Sequence, residues 1–300
     1  MLAPLSAECE LVQFDSLPDW RVLTRLGELL EDRPDVALRA YGGYDGTIAD
    51  LEFLRHFPRL KRFHADALRY RDFTGIDGLR FLPDDLVELH LGDVGRRFSL
   101  QPIGRFTSLQ TLHLEGKWKD VDVIRGLTEL EELELCSITL PDLSILTALP
   151  RLRRFALRLG GTRDLGLLPS VAELAYLELW MIRGLDDISP IGELQNLQYL
   201  FLQDLSRVDR LPDMTRMTAL RRVRLENLRS LTDLRPLLTA PALEALVVWS
   251  PRHLGPEHFA CLKDHPTLTH ARIALGSMKR NQAVSELLPL PAPQPFAFAS

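Results

Sequence analysis

A frame of the form Leu-x-x-Leu-x-Leu returns along most of this chain at a nearly fixed interval. It is complete at Leu109-Leu112-Leu114, Leu130-Leu133-Leu135, Leu174-Leu177-Leu179 and Leu197-Leu200-Leu202. Close variants stand at Leu152-Phe155-Leu157, Leu220-Val223-Leu225 and Leu243-Leu246-Val248. Upstream copies begin at Leu60 and Leu86, and a weaker downstream copy reads Leu268-Ala271-Ile273. The steps between starts are 26, 23, 21, 22, 22, 23, 23, 23 and 25 residues. A period of this length means one supersecondary unit per repeat, none able to bury its apolar face alone, stacked so that neighbours share a core. The alternation inside the frame is that of a strand, with the frame residues inward and those between them outward. Strands brought round once per repeat stack in parallel, about 4.8 Å apart.

The return segment has its own pattern: Asp142-Leu143-Ser144-Ile145-Leu146, Asp187-Ile188-Ser189-Pro190-Ile191 and Asp233-Leu234-Arg235-Pro236-Leu237. Aspartate caps the start of a helical turn, and proline suits the first turn, where no amide donor is needed. Short α or 3-10 turns are therefore expected opposite the strands. The arrangement resembles the bacterial leucine-rich repeats of the internalin-like type over roughly residues 51 to 275. The resemblance implies an α/β solenoid, a horseshoe with one parallel concave sheet of about ten strands and short helical turns on its convex side. One departure is plain. That type carries asparagine three residues after the last strand leucine, where its amide ties neighbouring turns. Here the place holds Lys117, Ile138, Gly160, Ile182, Leu205 and Leu228.

Outside the array the frame fails. Residues 1–59 read as an N-terminal cap: a short strand at Leu11–Phe14, then a helix from Asp19 to Leu30 with Val22, Leu23, Leu26, Leu29 and Leu30 on one face, ended by Pro34. Asp35 to Tyr41 reads as a further strand, a degenerate first repeat. The array occupies 60–275, and 276–288 form a C-terminal cap with a helix from Ser277 carrying Met278, Val284, Leu287 and Leu288. Residues 289–300 are a proline-rich tail, expected to be extended and loosely held.

The bulk numbers narrow function by exclusion. A formal net charge of -5 argues against a general nucleic-acid binder. Three widely spaced cysteines make no disulfide framework, and Glu8 and Glu10 interrupt any leader-like apolar start. No apolar run approaches the ~20 residues of a membrane span. These features predict a reduced, cytoplasmic protein without membrane contact. Nucleophile elbow, phosphate loop, zinc-protease and dinucleotide motifs are absent, and an open sheet face encloses no carboxylate, so no catalysis is expected.

The outward columns remain as the functional face. Tyr176, Trp180, Tyr199, Phe201 and Trp249 fall there together with Arg222 and Arg224, residue types that dominate binding energy at protein interfaces. The bland alternative is that these rings pack on one another and bind nothing. Glu132 and Glu134 on one strand and Arg154 on the next can orient a partner or simply form a solvated charged face. The expected partner is a protein held in the concave face by a chain that is monomeric when free. It is captured either by an inhibitor or immunity factor or by an adaptor subunit of a larger assembly. Two histidine groups invite a metal reading. His64, His90 and His113 form a ladder with Glu88 or Glu115 nearby, but a flat row is a poor tetrahedral donor set. His253, His258, Cys261, His265 and His270 cluster in sequence without a known zinc spacing. No metal or other cofactor is expected.

Overall fold

The computed structural model describes residues 4–41, 48–65, 73–93, 95–250 and 253–294. Residues 295–300 of the proline-rich tail lie outside them. Two compact units are present, Met1–Ile138 with Ala148–Leu152, and Thr139–Thr147 with Arg153–Ser300.

In the first unit six strands pair in chain order and in parallel: β1 (Leu11–Phe14), β2 (Ala37–Ala40), β3 (Arg62–Ala65), β4 (Glu88–Leu91), β5 (Thr111–Glu115) and β6 (Glu132–Cys136). The second unit repeats the arrangement with β7 (Arg154–Arg158), β8 (Tyr176–Trp180), β9 (Tyr199–Gln203), β10 (Arg222–Glu226), β11 (Ala245–Trp249) and β12 (His270–Ala274). Among the described residues there are thus twelve strands where the frame predicts about ten. The two additional strands are β1 and β2, which precede the first frame leucine at Leu60.

Register follows the frame. Leu89 pairs with Leu112 and Leu112 with Leu133, and Leu177 pairs with Leu200. All of these are buried. The returns are short 3-10 turns, among them Gln101–Arg105, Ser189–Glu193 and Arg235–Thr239, each with proline in the first turn. The aspartates stand before the turns rather than at their N-caps, which are Ile188 and Leu234 in two of them: Asp142 Oδ1 accepts from the Ser144 amide at 2.8 Å, Asp187 Oδ1 from Ser189 at 2.9 Å and Asp233 Oδ1 from Arg235 at 2.9 Å. Two aliphatic residues per return then plug the core, as Ile188 and Ile191 do.

The missing asparagine is replaced by two devices. Ile138, Ile182, Leu205 and Leu228 are buried in its place, as is Gly160. Lys117 is exposed, and its neighbour Trp118 fills the core instead, its indole donating to the Glu115 carbonyl at 2.9 Å. The polar tie itself passes to the main chain. The residue after the strand adopts a left-handed conformation at Gly116 (φ 100°), Leu159 (56°), Met181 (51°), Asp204 (52°) and Asn227 (52°). Its amide continues the strand ladder to the carbonyl ending the next strand. Gly116 donates to Cys136, Leu159 to Trp180, Met181 to Gln203 and Asp204 to Glu226, each at 2.9 Å, and Asn227 to Trp249 at 2.7 Å.

Left-handed backbone costs an L-residue roughly 1–2 kcal/mol. Met181 is 46% exposed and gives up little packing when truncated. Met181→Gly is therefore expected to gain about 0.5–1 kcal/mol after the larger entropy of the glycine chain when unfolded is subtracted, whereas the β-branched Met181→Val lowers stability. Urea denaturation checks this; a glycine variant less stable than the parent would show that the turn carries no strain.

The ends are covered by helices. α1 (Trp20–Glu31) is capped by Asp19, whose carboxylate accepts from the Arg21 amide at 2.9 Å. Leu23, Leu26 and Leu30 are buried, but Val22 points outward at 39% exposure, so the apolar face is narrower than the sequence implies. Gly27 lets the helix lie against the turn Glu52–His56: a Cβ there would stand 2.0 Å from the His56 carbonyl oxygen. α2 (Met278–Leu287) starts at Ser277 and buries Val284, with Leu288 just beyond it, while Met278 is 89% exposed and takes no part in the core. The tail departs from expectation. The Ala271 amide of β12 donates to the Pro291 carbonyl at 2.9 Å and Arg222 Nη1 to the Gln294 carbonyl at 2.8 Å, so residues up to 294 are fastened along the edge and over the open face.

Candidate functional site

Strand register places outward residues of the same frame position side by side, and in the second unit this produces a continuous aromatic and arginine surface. Tyr176 pairs with Tyr199, and their rings stack at 5.1 Å with 7° between planes. The Arg154 guanidinium lies over Tyr176 at 4.4 Å, and that of Arg224 over Phe201 at 4.6 Å. Stacked this way, Tyr176 is buried rather than offered to solvent. Its hydroxyl donates to Glu178 Oε2 at 2.7 Å. Burial, followed by the neighbouring Glu178 charge, raises the Tyr176 phenol far above its ordinary range, and burial raises Tyr199 against the opposing pull of Arg224.

Beneath the surface run two carboxylates that the outward columns did not single out. Glu178 is buried and receives Arg158 in a two-point bond, Nε to Oε1 at 2.7 Å and Nη2 to Oε2 at 3.0 Å. Glu226 is buried and accepts from Arg224 Nε at 2.7 Å. A further carboxylate, Asp204, fixes the edge of the patch: it accepts from the Trp180 indole at 3.2 Å and from the Asn227 side chain. The aromatic residues thus divide. Tyr176 is a structural plate, Trp180, Tyr199 and Phe201 are half-buried, and Trp249 stands 55% exposed. A groove of about 590 Å³ opens beside it, lined by Tyr199, Arg224, Val247, Trp249, Arg272 and, from the tail, Gln294. Glu132 and Glu134 lie half-buried on β6, in the first unit.

The histidine ladder of the first unit is present and tighter than a flat row. His64 pairs with His90, and His90 with His113. Their rings stack at 3.8 Å and 3.9 Å with 3° and 16° between planes. The ring tips of His64 and His90 gather on Glu88, with His64 Nε2 2.6 Å and His90 Nε2 3.2 Å from Oε1. Arg62 binds Oε2 of the same carboxylate. Burial opposes ionisation of Glu88, yet the adjoining His64 and His90 rings outweigh it and hold the carboxyl far below the usual range.

The C-terminal histidines are spent on the main chain instead. His253 Nε2 meets the Leu231 carbonyl at 2.8 Å and His265 Nε2 that of Leu237 at 3.1 Å. His265 Nδ1 accepts from the Thr267 and Leu268 amides, and His258 Nδ1 from Gly255. Burial raises the Cys261 thiol. Among the described residues, no three of these side chains converge as a ligand set.

No family model and no curated protein matches the chain. Solved structures do. An internalin (inlF) of Listeria monocytogenes aligns over 90% of this chain and 77% of its own at 18% identity and a TM-score of 0.58. An internalin C2 of the same species aligns over 66% and 83% at 24% identity and a TM-score of 0.48. A leucine-rich repeat protein of Leptospira interrogans aligns over 93% and 98% at 13% identity and a TM-score of 0.44. The likeness to the first, together with the strand frame and the 3-10 returns, gives this chain the leucine-rich repeat fold of the internalin type.

Proposed function

We infer that the chain is a non-catalytic scaffold that captures a protein partner on the open face of its strands. The observation that carries this reading is the exposed Trp249 beside a groove whose walls are Tyr199, Arg224 and Arg272. Tyrosine and tryptophan offer large area with two side-chain torsions each, so they bind at low entropic cost. Arginine adds paired bonds to carboxylates and stacks on rings. The patch is pre-organised, since Tyr176 stacks beneath Tyr199 and the Trp180 indole is fixed by Asp204, and pre-organisation lowers the cost of association.

The buried carboxylates Glu178 and Glu226 are paired with arginine, which supports a binding surface rather than a reactive one. Among the described residues Cys9, Cys136 and Cys261 form no disulfide, which fits a reducing compartment, and no described helix is long and apolar enough to cross a membrane. Within this reading the free chain is monomeric and its role is that of an inhibitor or immunity factor covering another protein. An adaptor subunit would use the caps and the returns as well.

Capture of the partner from its native host, followed by affinity measurement on variants, tests this. Trp249→Ala and Phe201→Ala should each weaken binding by ~2 kcal/mol or more with folding intact, and Ser189→Ala, on a return, should leave affinity unchanged. The opposite pattern would remove the open face from the interface and favour the adaptor.

A further inference from the structure

The first unit carries a donor cluster that the protein-capture reading does not use. Three side-chain atoms converge on the open face of β3 and β4: His64 Nε2, Glu88 Oε1 and His90 Nε2, all within 4.8 Å of one another. Parallel register produces the convergence. His64 and His90 are direct cross-strand partners, and Glu88 lies two residues before His90 on the same strand, so all three point to one side. We propose that His64, Glu88 and His90 form a binding site for one borderline divalent transition-metal ion, zinc foremost.

Three observations support the donor set. First, the bonding without an ion is incomplete. One carboxylate oxygen faces two imidazole nitrogens; His64 takes the short bond at 2.6 Å, and His90 Nε2, buried and 3.2 Å from that oxygen, is close to it without a well-aligned hydrogen bond. A cation among the three satisfies every lone pair at once. Second, the spacing suits the ion. Zinc holds nitrogen and oxygen ligands at about 2.0–2.2 Å, which sets tetrahedral ligands roughly 3.3 Å apart. His90 and Glu88 already stand at 3.2 Å, and His64, 2.6 Å from the same oxygen, moves outward to admit the ion.

Third, the surroundings orient the ligands. Arg62 holds Glu88 Oε2, leaving Oε1 for the metal, and the stack of His113 on His90 fixes that ring plane. Outer contacts of this kind raise the affinity of metal sites. The donors are two ring tips and a carboxylate from between them rather than three tips in line; because the His64 and His90 rings are parallel at 3.8 Å, His64 turns about its second torsion to bring both lone pairs onto one ion. Side-chain exposures of 14%, 14% and 15% for His64, Glu88 and His90 place the cluster just under the surface, with His90 Nε2 itself covered. Two imidazoles with one carboxylate select zinc, nickel or copper over calcium and magnesium, which take oxygen ligands. Three protein ligands leave a fourth position for water or another donor.

Calorimetric titration of the full chain, purified without a polyhistidine tag, provides the test. Zinc chloride should bind with one equivalent per chain, and calcium and magnesium chloride should give no binding heat. His64→Gln, His90→Gln and Glu88→Gln should each weaken zinc at least about tenfold, while the control Cys261→Ala should not change it. Circular dichroism establishes that each variant is folded. A second measurement needs no variant: cobalt added to the unaltered chain should give the visible bands of a tetrahedral nitrogen and oxygen site. Absence of zinc binding, absence of those bands, or binding that survives the His64→Gln and His90→Gln double change overturns the proposal. None of these outcomes bears on partner capture, which involves the second unit.

Discussion

Replacing Arg158 by alanine is expected to lower the unfolding free energy by about 3 kcal/mol. The Glu178 side chain is 5% exposed and that of Arg158 25%, and the guanidinium makes two bonds to the carboxylate. Removing one member of a buried pair leaves the other charged and poorly solvated, a loss of about 3–5 kcal/mol. The partial exposure of Arg158 places this case at the low end. Replacing Glu178 by glutamine in the same chain should recover part of the loss. A neutral amide costs less to bury than a lone carboxylate and still accepts from the Tyr176 hydroxyl. Denaturant titration of the two variants decides the matter. A loss under ~1 kcal/mol for Arg158→Ala would show that water reaches Glu178 and that the pair behaves as a surface one.

Leu177→Ala should cost roughly 2–5 kcal/mol, the transfer of the lost groups plus the cavity left behind. Leu177 is the central frame residue of β8, fully buried and in register with Phe155 and Leu200 on either side. Its neighbours are held by their own strand hydrogen bonds, so the site collapses poorly and the upper part of the range applies. Chemical denaturation with an unchanged midpoint would mean that the inward register is wrong by one residue, which would turn every frame leucine of the strand to solvent.

What the sequence disclosed follows from which forces are local. The strand frame and the Asp-x-Ser-Pro returns are written in adjacent residues, so the fold class and the positions of β3 to β12 were readable from the spacing alone. The helix after Asp19 was readable for the same reason. The outward columns also gave the histidine row, because parallel register turns a shared frame position into a neighbour, but left open whether Glu88 or Glu115 is its carboxylate. Long-range choices were not readable. Whether an outward aromatic ring is buried or free depends on its side-chain torsions and cross-strand company: Tyr176 lies beneath Arg154 and against Tyr199, while Trp249 stays open. The fastening of the tail joins Gln294 to Arg222 across 72 residues, and nothing in the proline-rich composition encodes that partner. The pairing of Arg158 with Glu178 crosses diagonally between strands, which the columns, read one at a time, do not display.

The left-handed turns after the strands have a consequence for how such a chain can change. In an asparagine-tied array the coupling between adjacent coils is a side-chain property, so one position in each repeat is closed to variation. Here the donor is a backbone amide, at Leu159, Met181, Asp204 and Asn227 alike. Every amino acid except proline carries that donor. The ladder bond at these corners is thus independent of residue identity, and the ease of entering the left-handed region grades the choices, while Asp204 and Asn227 add a side-chain bond between coils. Corners such as Leu159 and Met181 can then be rewritten one at a time, altering what the surface presents without loosening the stack that presents it.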